Sequence, residues 1–211
     1  ETVRSVVARD ARILLVDHRD SFVHTLGNYL RQTGAEVVTY RAGFSASLLE
    51  RIAPGLVVLS PGPGRPSDFE LSRTLSMCIE RGIPVFGVCL GLQGIVEHFG
   101  GTLGVLETPM HGRPSPLHIH EGAIFAGLPR TFAVGRYHSL HAVRETLPSC
   151  LRVTAEDDRG VIMAVEHETL PIAAVQFHPE SILTPETFGR RMIENALGLA
   201  PTGPVRKRVA A

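Results

Sequence analysis

The sequence predicts an α/β fold: a mostly parallel, open sheet with helices on both faces, followed by a small antiparallel β portion. In the first half, short and continuous apolar runs alternate with amphipathic segments of helical period. This alternation is typical of parallel strands that are buried on both faces. After Gly101, short β-rich runs separated by glycine and proline replace the alternation. This change in the sequence pattern indicates antiparallel strands.

The first half predicts four strands, each followed by a helix. Apolar runs predict the strands at 13–16, 37–40, 56–59 and 84–88, and helical spacing predicts helices over about 22–33, 46–52, 69–81 and 92–99. A polar turn is expected at 18–21, and Gly34 is expected to end the first helix. Because the loop at 60–64 and Cys89 both follow strands, they should share the edge where open α/β sheets bind ligands.

The second half predicts shorter strands and one last helix. The expected β segments are 103–106, 117–120, 132–137, 151–155, 161–167 and 172–177, and the last helix covers 188–199. Residues 1–10 are expected to be a tail or linker, and 201–211 a solvated basic tail. The residues between them are expected to form a single domain.

Composition excludes several classes of function. Lys plus Arg and Asp plus Glu are both 21, so no net field favours nucleic acid or anionic lipid. No apolar run is long enough to span a bilayer, and no signal peptide is evident. The three cysteines lie at unrelated spacings, which indicates neither a disulfide framework nor a zinc site. The expected compartment is reducing and cytoplasmic.

The residues around Cys89 indicate a nucleophile. Cys89 follows a predicted strand, precedes a predicted helix, and lies between Gly87 and Gly91. This is the strand–turn–helix elbow of Gly-x-Ser-x-Gly enzymes with sulfur in place of oxygen. The unpaired N–H groups of the helix favour a thiolate and an oxyanion. The alternative is that Cys89 is a small apolar residue in a buried strand end.

His178 and Glu180 are the candidate base and its partner. His178 follows the last predicted strand, and Pro179 makes the loop between them rigid. A cysteine nucleophile needs a base to take its proton, and the base needs a third group to orient it. The alternative is ordinary surface polarity, since the chain has 10 histidines.

Three motifs together resemble the class I glutamine amidotransferases: GVCLGLQ at 87–93, QFHPESILTPE at 176–186 and SPGPGRP at 60–66. The resemblance covers about 11–200, implies a flavodoxin-like fold, and is strongest to the glutaminase component of anthranilate synthase. DHRDSFVHTL at 17–26, MHGRPS at 110–115, RYHSL at 136–140 and SILT at 181–184 favour that subfamily. The glutaminase of aminodeoxychorismate synthase shares most of these motifs and stays open as an alternative.

The resemblance implies a role for each matching residue. Cys89 would attack the side-chain amide of L-glutamine, His178 would act as base and then acid, and Glu180 would orient His178. The backbone N–H of Leu90 and one from the glycine loop, assigned to Gly62, would form the oxyanion hole. The implied glutamine-binding residues are Gly62, Pro63, Gly64, Gln93, Ser139 and Leu140. Spacing alone favours an ordinary strand end at 139–140.

The resemblance also implies a partner, a chorismate-binding synthase present as a subunit or a fused domain. The loop at 110–115 is expected to face it through His111, Gly112, Arg113 and Ser115, with Arg113 and Pro114 in place of the usual Lys-Thr. Many relatives carry His where this chain has Leu92. No cofactor or metal is expected in this chain, with Mg²⁺ only on the synthase, and no nucleic acid or membrane partner is expected.

Two other classes of function compete with this interpretation. A catalytically silent domain that binds and regulates a partner would not need Cys89, His178 and Glu180 together. An α/β hydrolase or cysteine peptidase would share the elbow but not the Pro-Gly-Pro-Gly loop and the His-Pro-Glu motif. The first ten residues also suggest a chain cut from a longer, fused polypeptide.

Overall fold

A computed structural model of the protein describes residues 12–199. The predicted tails at 1–10 and 201–211 lie outside the described residues. In chain order the elements are β1 (Arg12–Asp17), α1 (Phe22–Gln32), β2 (Glu36–Arg41), α2 (Ala46–Ile52), β3 (Leu56–Leu59), α3 (Leu71–Glu80), β4 (Val85–Val88), α4 (Leu90–His98), β5 (Leu103–Val105), β6 (Arg113–Ile119), β7 (Thr131–Arg136), β8 (Leu140–Ala142), β9 (Leu151–Glu156), β10 (Ile162–His167), β11 (Ile172–Val175) and α5 (Glu186–Leu197).

One nine-stranded sheet runs through the fold in the order β2-β1-β3-β4-β11-β10-β9-β6-β7. The first five strands in this order are parallel, and the remaining neighbours pair antiparallel. Strands β5 and β8 form a separate antiparallel pair. The predicted fold class is confirmed, and the antiparallel portion continues the large sheet from β11 outwards.

Helices cover both faces of the parallel half, which divides the core into two layers. On one face, Leu26 of α1 and Met192 of α5 pack with Val58 and Phe86. On the other face, α2, α3 and α4 pack against strand residues such as Val57. Strands β3, β4 and β11 are buried along their whole length, because both of their faces are covered. Their continuous apolar sequence follows from that position.

Element boundaries differ from the predictions mainly near prolines. The predicted strand at 117–120 begins at Arg113, although Pro114 and Pro116 lie within it. The N–H of Ile119 points towards the β7 side, so N–H groups at even positions would point away from β7. Since β6 pairs with β9 only at His118 and Ile119, the two prolines lose no ladder bond. Helix α3 begins at Leu71, close to the predicted start at 69, and a 3₁₀ turn at Pro66–Phe69 that was not predicted precedes it.

The strand order brings three loops to one edge of the sheet. Strand β4 lies between β3 and β11, and all three run in the same direction. Their carboxyl ends are followed by the loop at 60–64, by Cys89 and by the loop at 176–181. Residues more than 100 positions apart in the sequence therefore meet at the central strands.

Candidate active site

Cys89 lies on a strained turn between β4 and α4. Its backbone has φ 54° and ψ −97°, a conformation that a residue with a side chain rarely adopts. Two hydrogen bonds hold it there: its N–H donates to the Val175 carbonyl at 2.8 Å, and its carbonyl accepts from the Gln93 N–H at 3.2 Å. Such strain persists only where the surroundings impose it, and it is concentrated at functional sites. The elbow predicted from the sequence is present.

The two glycines that flank Cys89 are required by close packing. A Cβ on Gly87 would lie 2.7 Å from the backbone carbon of Gly91, and a Cβ on Gly91 would lie 2.8 Å from the Leu59 carbonyl oxygen. Helix α4 therefore begins in direct backbone contact with β4 and β3. Any larger residue would push the start of the helix away from the sheet and move the sulfur.

His178 and Glu180 form a buried pair at the end of β11. Nδ1 of His178 lies 2.9 Å from Oε1 of Glu180, and both residues are only 1% exposed. The backbone of His178 is also fixed, because its N–H donates to the Gly135 carbonyl at 3.0 Å and its carbonyl accepts from the Thr184 hydroxyl at 2.8 Å. The hydrogen bond to Glu180 leaves Nε2 as the nitrogen available for chemistry.

The electrostatics favour an imidazolium next to the sulfur. Burial alone would lower the pKa of His178, but the Glu180 carboxylate and the nearby Cys89 sulfur outweigh it and raise this pKa to about 10. The sulfur of Cys89 is near enough to His178 to raise the pKa of the imidazole, although Nε2 has no hydrogen-bond partner of normal geometry. A protonated His178 beside Cys89 would stabilise the thiolate form of the nucleophile.

The predicted oxyanion loop packs directly on the residue after the nucleophile. A Cβ on Gly62 would lie 2.5 Å from Cδ2 of Leu90 and 2.7 Å from Cβ of His18, so only glycine fits there. Leu90 is the first residue of α4, where backbone N–H groups have no partner within the helix. Pro61 and Pro63 have no N–H, and the N–H of Ser60 donates to the Val16 carbonyl, so only the glycines of the loop can donate to a ligand from the backbone. The loop and the residue after the nucleophile thus lie next to each other, and the oxyanion hole formed by Leu90 and Gly62 stays a prediction.

Gln93 and Leu140, two of the predicted glutamine-binding residues, contact each other. The side-chain amide of the buried Gln93 donates to the Leu140 carbonyl at 3.3 Å and to Oε1 of Gln176 at 3.3 Å. Ser139, just before β8, is exposed. The sequence predicts only the end of a strand at 139–140, whereas a separate short strand, β8, begins at Leu140.

The predicted partner-facing segment needs one correction. His111, Gly112 and Arg113 are exposed as expected, but Ser115 is only 8% exposed and lies 3.5 Å from the guanidinium of Arg136. Because β6 already begins at Arg113, alternate side chains turn to opposite faces, and Ser115 turns inward. The expectation of a loop through 115, with Ser115 facing outwards, is therefore wrong.

Several residues near the pair were missed by the sequence reasoning. The rings of Phe22 and Tyr137 lie 4.6 Å and 4.9 Å from the imidazole of His178 and enclose it. His18, expected in a polar turn, is fully buried, and its N–H and Nδ1 contact Ser60. Gln176 contacts the sulfur of Cys89. All four belong to motifs quoted for the resemblance, which is the only signal that marked them.

Residues 12–199 contain no cluster of side chains suited to a metal ion. Within this range, no three His, Cys, Asp or Glu side chains are grouped as metal ligands. Nor does any helix in this range have the length and apolar character needed to cross a bilayer.

Comparisons with known proteins agree with this geometry. The family described as "Glutamine amidotransferase class-I" matches residues 14–198. The chain is 56% identical over 200 residues to an anthranilate synthase of Azospirillum brasilense, covering 95% of this chain and 26% of that protein. It is 43% identical over 185 residues to the aminodeoxychorismate/anthranilate synthase component 2 of Bacillus subtilis, covering 87% and 94%.

The chain spans well under two thirds of some of these relatives, including 53% of a multifunctional tryptophan biosynthesis protein of Pichia angusta. Among solved structures, a GMP synthase protein from Thermoplasma acidophilum matches with a TM-score of 0.80 at 26% identity, covering 90% of this chain and 94% of the other. A Thermotoga maritima glutamine amidotransferase shares the fold, with a TM-score of 0.65 at 16% identity, covering 87% and 81%. The chain belongs to the class I glutamine amidotransferase family.

Proposed function

We propose that this chain is a glutaminase that releases ammonia from L-glutamine and supplies it to a chorismate-using synthase. One observation carries the catalytic part of the proposal: Cys89, on its strained elbow, meets the buried His178–Glu180 pair at the ends of two adjacent parallel strands. A nucleophile, a base and an orienting carboxylate are the groups that acyl transfer to sulfur requires.

The reaction follows from these positions. The thiolate of Cys89 attacks the side-chain amide carbon of glutamine, and the N–H groups of Leu90 and Gly62 hold the oxyanion. His178 then gives its proton to the leaving nitrogen, so that ammonia departs and a γ-glutamyl thioester remains. A water molecule, deprotonated by His178, hydrolyses the thioester to glutamate, and the departing sulfur and the reprotonated His178 restore the thiolate–imidazolium pair.

The hydrogen bonds within the site restrict how glutamine is held. Both amide hydrogens of Gln93 are committed, to Leu140 and to Gln176. Gln93 would therefore offer only its oxygen to a ligand, which suits the α-ammonium group of glutamine. The Leu140 carbonyl already accepts two hydrogen bonds, so a backbone contact from Leu140 to glutamine would use its N–H.

The partner would dock on the turn at 110–113, which is exposed at 111–113 and is coupled to the base. The N–H groups of Met110 and Gly112 donate to the carbonyls of His138 and Arg136, at 2.9 Å and 3.0 Å. These bonds flank Tyr137, whose ring packs against His178. A synthase that shifts this turn would shift Tyr137 and with it the imidazole. We therefore expect the isolated chain to hydrolyse glutamine slowly until the synthase binds.

Anthranilate synthase, which serves tryptophan biosynthesis, is the partner that the comparisons favour. The 56% identity to the Azospirillum brasilense protein covers nearly the whole of this chain. The second candidate is aminodeoxychorismate synthase, which the name of the Bacillus subtilis relative includes. The partner could be a separate subunit or a domain fused to this one.

Glutamate release tests the proposal and separates the two partners. The chain is incubated with glutamine alone, with anthranilate synthase component 1, or with aminodeoxychorismate synthase component 1, each with chorismate. We expect slow release alone and a large rise with the anthranilate enzyme only. A rise with the other synthase only would reassign the partner, and no glutamate in any mixture would refute the function.

A further inference from the structure

We propose that Gln176 is a further catalytic residue, which donates a hydrogen bond from its side-chain amide to the sulfur of Cys89 and stabilises the thiolate. The role deepens the proposed function and rests on it. Nε2 of Gln176 lies 3.5 Å from the sulfur, and the residue is 0% exposed. Its backbone N–H donates to the Met163 carbonyl at 2.8 Å, which fixes the residue at the end of β11.

The orientation of the Gln176 amide is determined by its neighbours. The Leu140 carbonyl can only accept, so the atom of Gln93 that faces it must be the nitrogen. That nitrogen also faces the Gln176 amide, so the atom it meets must be the oxygen of Gln176. The other end of the Gln176 amide, the end that contacts Cys89, is therefore an N–H donor.

The buried Arg136 guanidinium lies at the other end of this chain of hydrogen bonds, next to His138. The guanidinium of Arg136 donates to the Asp157 carboxylate at 2.5 Å and to Nε2 of His138 at 3.0 Å. Nδ1 of His138 must then be the protonated nitrogen, and it donates to the Leu140 carbonyl at 2.7 Å. Burial, reinforced by Arg136, lowers the pKa of His138 to about 4, so this ring stays neutral and keeps that tautomer.

The chain of hydrogen bonds accounts for a buried ion pair that the triad does not use. Arg136 and Asp157 are 3% and 6% exposed, and such a pair seldom contributes much to stability by itself. Here it fixes the tautomer of His138, whose Nδ1–H holds the Leu140 carbonyl that in turn orients Gln93. A donor that is already in place next to the sulfur favours the ionised thiol without reorganisation during the reaction.

The pH dependence of Cys89 alkylation tests this role without any glutamine turnover. The full chain is labelled with iodoacetamide from acidic to alkaline pH, and each cysteine is quantified by peptide mapping. Gln176→Met keeps the length of the side chain but removes the donor, and Gln176→Glu replaces the donor with a charged acceptor. The matched control is Gln32→Met, since Gln32 is exposed on α1. Labelling of the buried Cys78 reports any unfolding.

We expect Gln176→Met to shift the alkylation profile of Cys89 to higher pH, which slows labelling on the rising part of the wild-type profile by about tenfold while the alkaline limit is unchanged. Gln176→Glu should slow it further, and the control should match the wild type. An unchanged profile in a Gln176→Met chain with protected Cys78 would overturn the inference.

If iodoacetamide labels Cys78 in Gln176→Met, that variant is unfolded, and Gln93→Met is used to test the role of Gln176 instead. Losing Gln93 frees the Gln176 amide to turn, so the alkylation profile of Cys89 should again shift to higher pH, and an unchanged profile would again overturn the role. The two proposals fail separately. A wild-type chain that makes no glutamate with any synthase refutes the glutaminase, whereas an active wild type with an unaltered Gln176→Met profile refutes only the donor.

Discussion

Replacing Glu180 by glutamine tests how the base is held, with almost no change in shape. The carboxylate accepts from Nδ1 of His178 at 2.9 Å in a site closed to water, and its second oxygen has no partner. Glutamine would keep an oxygen near Nδ1. It would remove the negative charge and leave a buried amide nitrogen without an acceptor.

The expected loss follows from the strength of the hydrogen bond that changes. A hydrogen bond to a charged group contributes about 1.5–3 kcal/mol and a neutral one about 0.5–1.5 kcal/mol. Losing the difference of about 1–1.5 kcal/mol in the transition state lowers kcat by about 5- to 13-fold. This is far less than the near-complete loss expected when Cys89 itself is replaced, because the base is weakened and not removed.

The His178–Glu180 pair should also make the free energy of unfolding depend on pH. Since the folded-state pKa of His178 is raised from 6.5 to about 10, its protonation stabilises the fold fully below pH 6.5, and this contribution is lost as the pH rises towards 10. In Glu180→Gln this contribution is largely absent. The wild type should therefore exceed the variant in free energy of unfolding at pH 6.5, and the difference should shrink towards pH 10.

Urea unfolding across this window and steady-state glutaminase kinetics in the presence of the synthase provide both readouts. A stability difference that is constant with pH would show that Glu180 does not hold a protonated His178. A loss of kcat as complete as that of a nucleophile variant would show that Glu180 does more than orient the base.

Three other substitutions probe the elbow, the buried histidines and the coupling to the partner. Gly91→Ala places a Cβ 2.8 Å from a β3 carbonyl and should lower the free energy of unfolding by about 1–3 kcal/mol and reduce activity, whereas Gly55→Ala meets its nearest atom at 3.9 Å and should do neither. Burial lowers the pKa values of His18 and His138 to about 4, so the free energy of unfolding should fall as the pH drops from 6.5 to 4, by up to about 3 kcal/mol per histidine. His18→Asn should remove part of this pH dependence, as measured by urea unfolding. Tyr137→Leu removes the ring that lies between the 110–113 turn and His178. It should reduce the stimulation of glutamate release by the synthase more than it weakens binding of the synthase. Unchanged stimulation would refute the coupling.

The parallel half of the fold, the elbow at Cys89 and the contact between His178 and Glu180 could be predicted because each depends on local sequence. Strands buried on both faces have continuous apolar sequences, as in 56–59, and an elbow needs glycines at fixed positions around Cys89. His178 and Glu180 are two residues apart on one rigid loop, so their contact is nearly local.

The buried polar chain could not be predicted, because it joins residues from distant parts of the sequence. Gln93 and Gln176 are 83 positions apart, and glutamine is a residue type that is mostly exposed in folded proteins. Ser115 was misplaced for a related reason: two prolines hid the strand that turns it inward. Strand β8 has only three residues, too few to show a period.

Product formation by the complex of this chain with its synthase tests the central claim most directly. Cys89→Ser keeps the two elbow glycines and should leave the fold and the docking surface intact, but a hydroxyl is far less ionised than a thiol. The complex should therefore lose synthesis from glutamine and keep synthesis from added ammonium, because the acceptor chemistry takes place on the synthase. Glutamine-dependent synthesis that survives in Cys89→Ser would contradict the thioester mechanism.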